Sequence, residues 1–590
     1  MRRRMAFTCA VLAMATAVSG TTAIAAGNGG FKTGQPSMLA GVKAGVQITP
    51  LLTVGDVFGD SGFRFESIPD GISLRTRGKG RVDLYVNHET SKVPFPFNAA
   101  APSAASGQSD FDNSQVSHLI LNQNSAGVLD GSFAIPSSGG FQRFCSNFLA
   151  TAKEGFSRNI LFTNEESPDY VFRQEDSWPP PVGDPNEEEN GVTIAYDIKS
   201  GQYHTVYGMG RFNHENNVAI PGYDDLVVLS GDDTFTSGAL TIPPGGPNTD
   251  LTAPAQSQLY SYIASDTDTL LADRGDLWAF VSDNPSFTDY YDFAPGSTQS
   301  ITGHFIQVPK NIATGKNPDG SELTSADVGY PAPDGGWQTD LRTTGPAVPI
   351  DGPQWVLEYW SHLNDVFQFV RVEDIAYDKR PGMGNVVYFA DTGRATAGTP
   401  QPGRSTNGRI WKMALDPDDP KQVDSLSIFV EGDDSAVATL NEIHQPDNVE
   451  TTPTGLLLTE DPGTNNQFPA DSTATNATTA RLWFVPFSSP TSAEVVAKID
   501  QEADDGSTDV GPAPTADPSL GNLGSWETTG IVDASAAFGA GAYLINIQAH
   551  TLWIEKAPGP DTFIDAETVL PDFTYKREGG QLLLIRIPGI

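Results

Sequence analysis

Residues 226–233 read LVVLSGDD, a short apolar run that stops at two acids. Short runs rich in Val, Ile, Leu, Phe and Tyr are typical of β-strands. The same pattern recurs at Val82–Val86, Asn159–Thr163, Val386–Ala390 and Leu456–Thr459, each followed by acids or amides. Strand ends on one side of a β-scaffold gather side chains around a common mouth. We therefore expect these polar clusters to converge and to offer the oxygen ligands that a hard metal ion requires.

The composition favours an all-β protein over an α/β enzyme. The chain has 590 residues with 59 Gly and 44 Pro, and its apolar runs are short. Short strands separated by long polar loops fit a β-propeller, in which the strands surround a central channel. We predict a signal peptide over 1–25, a flexible lead-in over 26–50 and a single propeller domain with long inserted loops over 51–590.

The first residues have the pattern of an export signal. Residues 2–4 are arginines, the apolar run Ala6–Val18 follows, and residues 23–25 (AIA) fit a cleavage site. The adjacent arginines are compatible with twin-arginine export, and general secretion is equally compatible. After the signal no run of about 18 apolar residues occurs, so we expect no membrane span. The mature protein is predicted to be periplasmic or extracellular.

The charge and the cysteine content restrict the partners. A net charge of −38 argues against nucleic acid as a partner, because nucleic-acid binders need clustered bases. The acidity in general is compatible with simple solubility. Cys9 leaves with the signal, so Cys145 is the single cysteine of the mature chain and forms no intramolecular disulfide. Cys145 is either a small buried hydrophobe or a thiolate ligand to a metal.

Two further clusters combine residue types that bind metals or anions. Residues 210–215 read GRFNHE and end in a His-Glu pair. In the segment Arg371-Val372-Glu373, alternation along an extended chain puts Arg371 and Glu373 on one face. Glu373 can then bind a metal while Arg371 holds an anionic substrate in a bidentate manner. Each cluster taken alone is also compatible with an ordinary turn or a surface ion pair.

Familiar catalytic motifs are missing from the sequence. It contains no Gly-x-Ser-x-Gly elbow, no His-Glu-x-x-His, no Walker loop, no Rossmann fingerprint and no EF-hand loop. A serine hydrolase or a nucleotide-dependent enzyme is therefore poorly supported, and calcium ligands would have to come from residues far apart in sequence.

Taken in chain order, the clusters resemble the PhoX-type alkaline phosphatases. The matching pieces are Asn87-His88-Glu89, Cys145, Glu165-Glu166, residues 210–215, Gly231-Asp232-Asp233, residues 258–260, residues 275–278, residues 371–374 and Pro446-Asp447-Asn448. Members of that family are exported six-bladed β-propellers. They hydrolyse phosphate monoesters at a mixed iron and calcium cluster on the propeller axis.

The resemblance implies a role for each matched residue. Cys145 and Glu215 would ligate Fe³⁺, with Glu373 as a further metal ligand. The ligands to Ca²⁺ would be Glu165, Glu166, Asp232 or Asp233, and Asp447. Arg371 would hold the phosphate of a small substrate, so the catalytic set would be Arg371, Cys145, Glu215 and Glu373. A thiolate suits iron and carboxylates suit calcium.

Three functions are compatible with these features. The first is a secreted, monomeric, metal-dependent phosphatase acting on phosphate esters. The second is a calcium-stabilised secreted propeller without phosphatase activity, because residues 548–551 read QAHT where the family carries a glutamate. The third is a propeller hydrolase of another class, such as a lactonase or a phytase-like enzyme.

Overall fold

The computed structural model describes residues 29–66, 68–89, 113–173, 183, 186–234, 255–340, 348–393, 407–433, 441–462, 478–501, 526–555 and 576–590. Strands dominate these residues, which confirms the all-β prediction. The signal peptide predicted over 1–25 lies outside them. Among the helices in these ranges, none is both long enough and apolar enough to cross a membrane.

Six four-stranded antiparallel blades form a β-propeller within the described residues. Blade 1 consists of Pro69–Gly78, Arg81–His88, Gln115–Asn122 and Val128–Ile135. Blade 2 consists of Phe144–Ala150, Ile160–Glu165, Thr193–Asp197 and Gln202–Val206. Blade 3 consists of His214–Ile220, Leu226–Asp232, Leu259–Ala264 and Asp276–Ser282.

The other three blades follow in chain order. Blade 4 consists of Val372–Tyr377, Val386–Asp391, Arg409–Leu415 and Gln422–Glu431. Blade 5 consists of Pro446–Thr451, Gly455–Glu460, Arg481–Pro486 and Glu494–Ile499. Blade 6 consists of Glu527–Asp533, Ala542–Glu555, Lys576–Arg586 and, from the beginning of the chain, Gln47–Thr53. The strand named first in each blade is its inner strand.

The inner strands close into a ring. Each packs beside the inner strand of the next blade, and that of blade 6 packs beside that of blade 1. The N-terminal strand Gln47–Thr53 pairs with Lys576–Arg586 and so joins the two ends of the chain in one blade. Leu39–Gly41 adds a fifth strand to the outer edge of blade 5. The prediction of a flexible lead-in over 26–50 is therefore wrong for these two segments, because both are paired in the sheets.

Short elements decorate the blades. Ser300–Gln307 pairs with the outer strands of blades 3 and 4 and joins them into one sheet of nine strands. Two small hairpins pair Val57–Phe58 with Phe63–Arg64 and Tyr170–Val171 with Glu188–Glu189. The α-helices are Thr267–Leu271, Lys310–Thr314, Ser325–Val328, Pro353–Leu363 and Ser535–Phe538. Short 3₁₀ turns are Ser137–Gly139, Ala152–Glu154, Tyr207–Met209, Tyr290–Asp292 and Pro490–Ser492.

The apolar core lies between neighbouring blades. Leu84 and Val86 of blade 1 pack with Leu544 and Leu582 of blade 6, and all four are fully buried. Similar layers of apolar side chains join the other blades. Because apolar residues fill the space between the blades, the polar residues of the inner strands are left to line the axis.

Every inner strand carries a β-bulge near its start. In blade 1, Pro69 pairs with His88 and Ile72 pairs with Val86, so two residues of the inner strand face one residue of its partner. Blades 2 to 5 have the same two-against-one irregularity, and blade 6 has it between Thr529 and Ile531. A bulge bends the strand and re-aims the side chains beside it. The six bulges therefore give the axis a common local geometry.

Candidate metal centre

The first bulge residue of each inner strand faces the axis. We name these six buried residues the axial ring, and they are Asp70, Cys145, Glu215, Glu373, Asp447 and, by register, Thr529. Thr529 donates a hydrogen bond to Asp70 and so links blade 6 to its neighbour, blade 1. The five ring residues other than Thr529 are of types that ligate metals.

The local sequence explains how the ring residues are presented. Proline precedes the ring residue in blades 1 and 5, at the first position of the strand, where a missing N–H is tolerated. The second bulge residue in blade 1 is Gly71, and a Cβ there would lie 2.7 Å from the Cα of Ser146. In blade 6 that position is Gly530, whose φ of +40° lies in the left-handed region. Neighbouring blades can thus approach closely.

The ligand atoms form three groups that share members. Asp70, Glu89 and Cys145 make one group, and Cys145, Glu166 and Glu215 make the second. Glu215, Glu373 and Asp447 make the third, and within each group the atoms lie within 4.8 Å of one another. Because Cys145 and Glu215 each belong to two groups, the seven residues form one continuous cluster along the mouth of the channel.

Burial in the cluster disfavours the ionised forms of its own carboxyl groups and thiol. Burial raises the pKa of Glu215 to about 8 and, together with the Asp70 carboxylate, raises the pKa of the Cys145 thiol. Burial and the neighbouring Glu373 raise the pKa of Asp447. The Cys145 thiol donates to Oδ2 of Asp70 at 2.8 Å. Carboxylates brought together in a buried place either retain protons or require cations.

The two carboxylate oxygens of Glu215 differ in their hydrogen bonding. Ser146 Oγ donates to Oε1 of Glu215 at 2.7 Å and so orients that carboxylate. Oε2 of Glu215 is buried and accepts no hydrogen bond from the described residues. A buried carboxylate oxygen that accepts no hydrogen bond destabilises the fold unless a metal or a water binds to it. The thiol and the six carboxylates of the cluster fit the donor preferences of iron and of calcium.

Arg371 lies at the edge of the cluster and is held by acids. Its Nε and Nη2 donate to the two carboxylate oxygens of Asp233, each at 2.7 Å. Nη2 also lies 2.9 Å from Oε1 of Glu373, and Nη1 lies 3.9 Å from Asp461. The bidentate pair with Asp233 fixes the plane of the guanidinium next to the third ligand group.

The acids at strand ends divide into two sets by register. Glu165, Asp391 and Glu460 each pair with the first residue of an inner strand. Each accepts the backbone N–H two positions before that strand, from Gln142 at 3.0 Å, Val370 at 3.2 Å and His444 at 2.8 Å respectively. These three acids therefore fasten the loops that lead into the inner strands.

The next register position along the chain carries a shared backbone hydrogen bond in blades 1 to 5. There the N–H group donates to the carbonyl of the residue that precedes the inner strand, at 2.8–3.1 Å, and the donors are Glu89, Glu166, Asp233, Thr392 and Asp461. Successive residues of a strand face opposite sides, so one register position supports the loops while the next faces the cluster.

Register divides the predicted ligand residues into two sets. Cys145, Glu166, Glu215, Glu373 and Asp447 lie in the three ligand groups. Glu165, Asp232 and Asp233 belong to none of the three ligand groups. Glu165 instead forms an ion pair with Arg173, in which Oε2 lies 2.9 Å from Nη2. Asp232 accepts hydrogen bonds from N and Oγ1 of Thr234 at 2.9 and 2.7 Å. Asp233 binds Arg371.

Two members of the cluster had no predicted role. The sequence Pro69-Asp70-Gly71 repeats the Pro-Asp pair that precedes Asn448, and this repeat is the signal that could have identified Asp70. Glu89 follows a strand-like run, but its partners Asp70 and Cys145 come from other strands. In the late segment, Gln548 Nε2 donates to Glu89 Oε1 at 3.3 Å, so an amide of blade 6 contacts the cluster.

A hydrogen bond across the axis underlies the cluster. Asn448 Nδ2 of blade 5 donates to Ser146 Oγ of blade 2 at 3.1 Å, and these blades lie on opposite sides of the ring. Below this bridge is a cavity of about 460 Å³ that all six inner strands line. The bridge separates the cluster from the cavity.

Comparisons with known proteins give only distant similarity. No family model and no curated protein matches the chain. Among solved structures, a protein of unknown function from Dyadobacter fermentans covers 92% of this chain and 100% of its own, with 8% identity and a TM-score of 0.37. An ulvan lyase of polysaccharide lyase family PL25 covers 88% and 92%, with 8% identity and a TM-score of 0.29. A variant of the NanB sialidase from Streptococcus pneumoniae covers 76% and 70%, with 10% identity and a TM-score of 0.27.

Proposed function

We propose that the protein is a secreted metal-dependent phosphatase that hydrolyses phosphate esters at the mouth of the propeller channel. The observation that carries the proposal is the convergence of one thiol and several carboxylates beside a guanidinium. Cys145 and Glu215 are the proposed iron ligands, with Glu373 beside them, and Glu166 and Asp447 are the proposed calcium ligands.

The donor set supports this assignment of metals. Cys145 offers the one soft ligand of the cluster, and Glu166, Glu373 and Asp447 offer hard oxygens. When bound, such ions neutralise the charge of a phosphoryl group and activate an oxygen nucleophile. Oε2 of Glu215, which accepts no hydrogen bond from the part of the chain that the structure describes, supports a ligand role for that residue.

The protein side chains would position the substrate. Arg371 would donate to phosphoryl oxygens from a guanidinium whose plane Asp233 fixes through two hydrogen bonds of 2.7 Å. Burial of the cluster excludes bulk water and strengthens each of these charge interactions. The hydrogen bond between Ser146 and Asn448 crosses the axis beneath the cluster, which supports approach of the substrate from the mouth.

The test uses the mature protein loaded with Ca²⁺ and Fe³⁺ and p-nitrophenyl phosphate at alkaline pH. We expect turnover that a chelator abolishes. Cys145→Ser, which keeps the size of the side chain but replaces the soft donor, should lower both iron content and kcat by at least about tenfold. Lack of turnover in the metal-loaded protein would contradict the proposal.

A second candidate is a calcium-stabilised propeller without phosphatase activity. The amide of Gln548, which contacts Glu89 in place of an acid, favours this candidate. It predicts that the purified protein retains calcium and no iron, and that Cys145→Ser leaves the metal content unchanged. Lactones and phytate, assayed in parallel, would reveal a propeller hydrolase of another class.

A further inference from the structure

Arg143 and Arg371 occupy the same register position in two blades. Each is the residue directly before an inner strand, Arg143 in blade 2 and Arg371 in blade 4. The carbonyl of Arg143 accepts the N–H of Glu166 at 3.0 Å, and that of Arg371 accepts the N–H of Thr392 at 3.0 Å. Blade 3, which supplies Glu215, lies between them, so the two guanidinium groups flank the middle of the ligand cluster.

The backbone at Arg143 is held in an uncommon conformation. Its φ of +48° lies in the left-handed region, which a long side chain rarely adopts. The bond from Gln142 N to Glu165 Oε1 at 3.0 Å fixes the residue before it, and the bond to Glu166 fixes the residue itself. Conformations of this kind persist where the surroundings determine them, and they concentrate at functional sites.

The side chain of Arg143 turns to the cluster and reaches the mouth. Its Nη2 lies 3.5 Å from Oε2 of Glu166, at the second ligand group. The side chain of Arg143 is 24% exposed and that of Arg371 is 14% exposed, so both side chains are partly exposed beside the buried acids. A ligand that enters from the mouth meets both.

We propose that Arg143 is a second anion-binding residue, which with Arg371 clamps the phosphoryl group of the substrate from the two sides of Glu215. The proposal rests on the proposed function and adds a binding residue to it. A phosphoryl group presents several charged oxygens, so each guanidinium group can donate to a different oxygen.

The two arginines would differ in how they act. Arg371 is bound in a bidentate manner by Asp233, so its orientation is fixed before substrate arrives. The ion pair of Arg143 with Glu166 has its closest contact at 3.5 Å, which is longer than a charge-assisted hydrogen bond, so Glu166 orients Arg143 less strictly than Asp233 orients Arg371.

The test measures the binding of inorganic phosphate by titration calorimetry and the kinetics with p-nitrophenyl phosphate, on metal-loaded protein. Arg143→Gln should weaken phosphate binding and raise KM by about 10–100-fold, because a hydrogen bond to a charged group is lost. Arg143→Lys should recover part of the affinity. Arg75→Gln, which changes an arginine paired with Asp83 on blade 1, is the control and should bind phosphate normally. Metal content should be equal in all four proteins.

Each outcome decides between the two proposals. If Arg143→Gln binds phosphate as the unchanged protein does, or if it loses metal, the clamp is wrong. Absence of phosphate binding by the unchanged metal-loaded protein also overturns the clamp. If phosphate binding depends on Arg143 but no ester is hydrolysed, the clamp stands and the proposed phosphatase fails.

Discussion

At the scale of single residues, Glu165 and Glu166 show how one register step separates support from function. Glu165 accepts from Gln142 N and Val192 N and pairs with Arg173, all inside blade 2. Glu166 is its direct neighbour and belongs to the ligand group of Cys145 and Glu215. Both are buried glutamates in one strand-end motif, so the sequence pattern does not distinguish them, whereas strand alternation does.

We expect opposite effects from the same change at these two positions. Glu165→Gln removes one partner of a buried ion pair and should lower the free energy of unfolding by about 3 kcal/mol, while the metal content of the folded protein stays the same. Glu166→Gln should lower the metal content and change the free energy of unfolding of the metal-free protein little. Urea unfolding and elemental analysis of both variants check this. Loss of metal from folded Glu165→Gln would contradict the register assignment.

Glu188 gives a pH dependence remote from the cluster. Burial alone would raise the pKa of this carboxyl, but Arg173 and Lys316 hold it at about 2. A carboxyl with a lowered pKa stabilises the fold above its unfolded pKa of about 4.3, and this stabilisation is lost as the pH falls through about 2. The difference in urea midpoint between the unchanged protein and Glu188→Gln should therefore be constant above pH 5 and shrink below pH 4. A difference independent of pH would contradict this.

At the scale of elements, the sequence identified the second strands of the blades and missed the first. The predicted runs Val82–Val86 and Val386–Ala390 lie inside the second strands Arg81–His88 and Val386–Asp391. The inner strand His214–Ile220 begins with polar residues and carries a bulge, so its period of two is broken where the ligands are. Residue types alone indicated Cys145, Glu215 and Glu373 as candidate ligands, but they did not show that these residues meet, and Asp70 was missed.

The bulge of blade 1 requires a glycine as its second residue, because the backbone of blade 2 approaches Gly71 closely. A Cβ at Gly71 would lie 2.7 Å from both Cα and the carbonyl carbon of Ser146, so Gly71→Ala must displace blade 2 from blade 1. We expect a loss of about 1–3 kcal/mol in unfolding free energy and a lower affinity for metal, since Asp70 and Cys145 flank the displaced contact. Gly34→Ala, with no atom within 4 Å of its Cβ, is the control and should be neutral. Equal unfolding midpoints for the two variants would contradict this account.

At the scale of the whole molecule, the ring is closed by the pairing of its two chain ends. Residues before the first blade supply the strand Gln47–Thr53, and Lys576–Arg586 supplies its partner. The sequence alone does not reveal this closure, because the two strands are more than 500 residues apart and either could end a sheet. The contact is non-local, so its loss opens the ring instead of altering one loop.

Leu52 allows the closure to be weakened without removing the strand. Its side chain is fully buried between blades 6 and 1, so Leu52→Ala should leave a cavity and cost about 2–5 kcal/mol. Because the axial ring depends on all six blades, we expect the same variant to release metal at lower urea concentration than the unchanged protein. Val42→Ala, at a half-exposed position ahead of the closing strand, should change neither property. If Leu52→Ala unfolds early while metal release keeps its original midpoint, the cluster would be independent of ring closure.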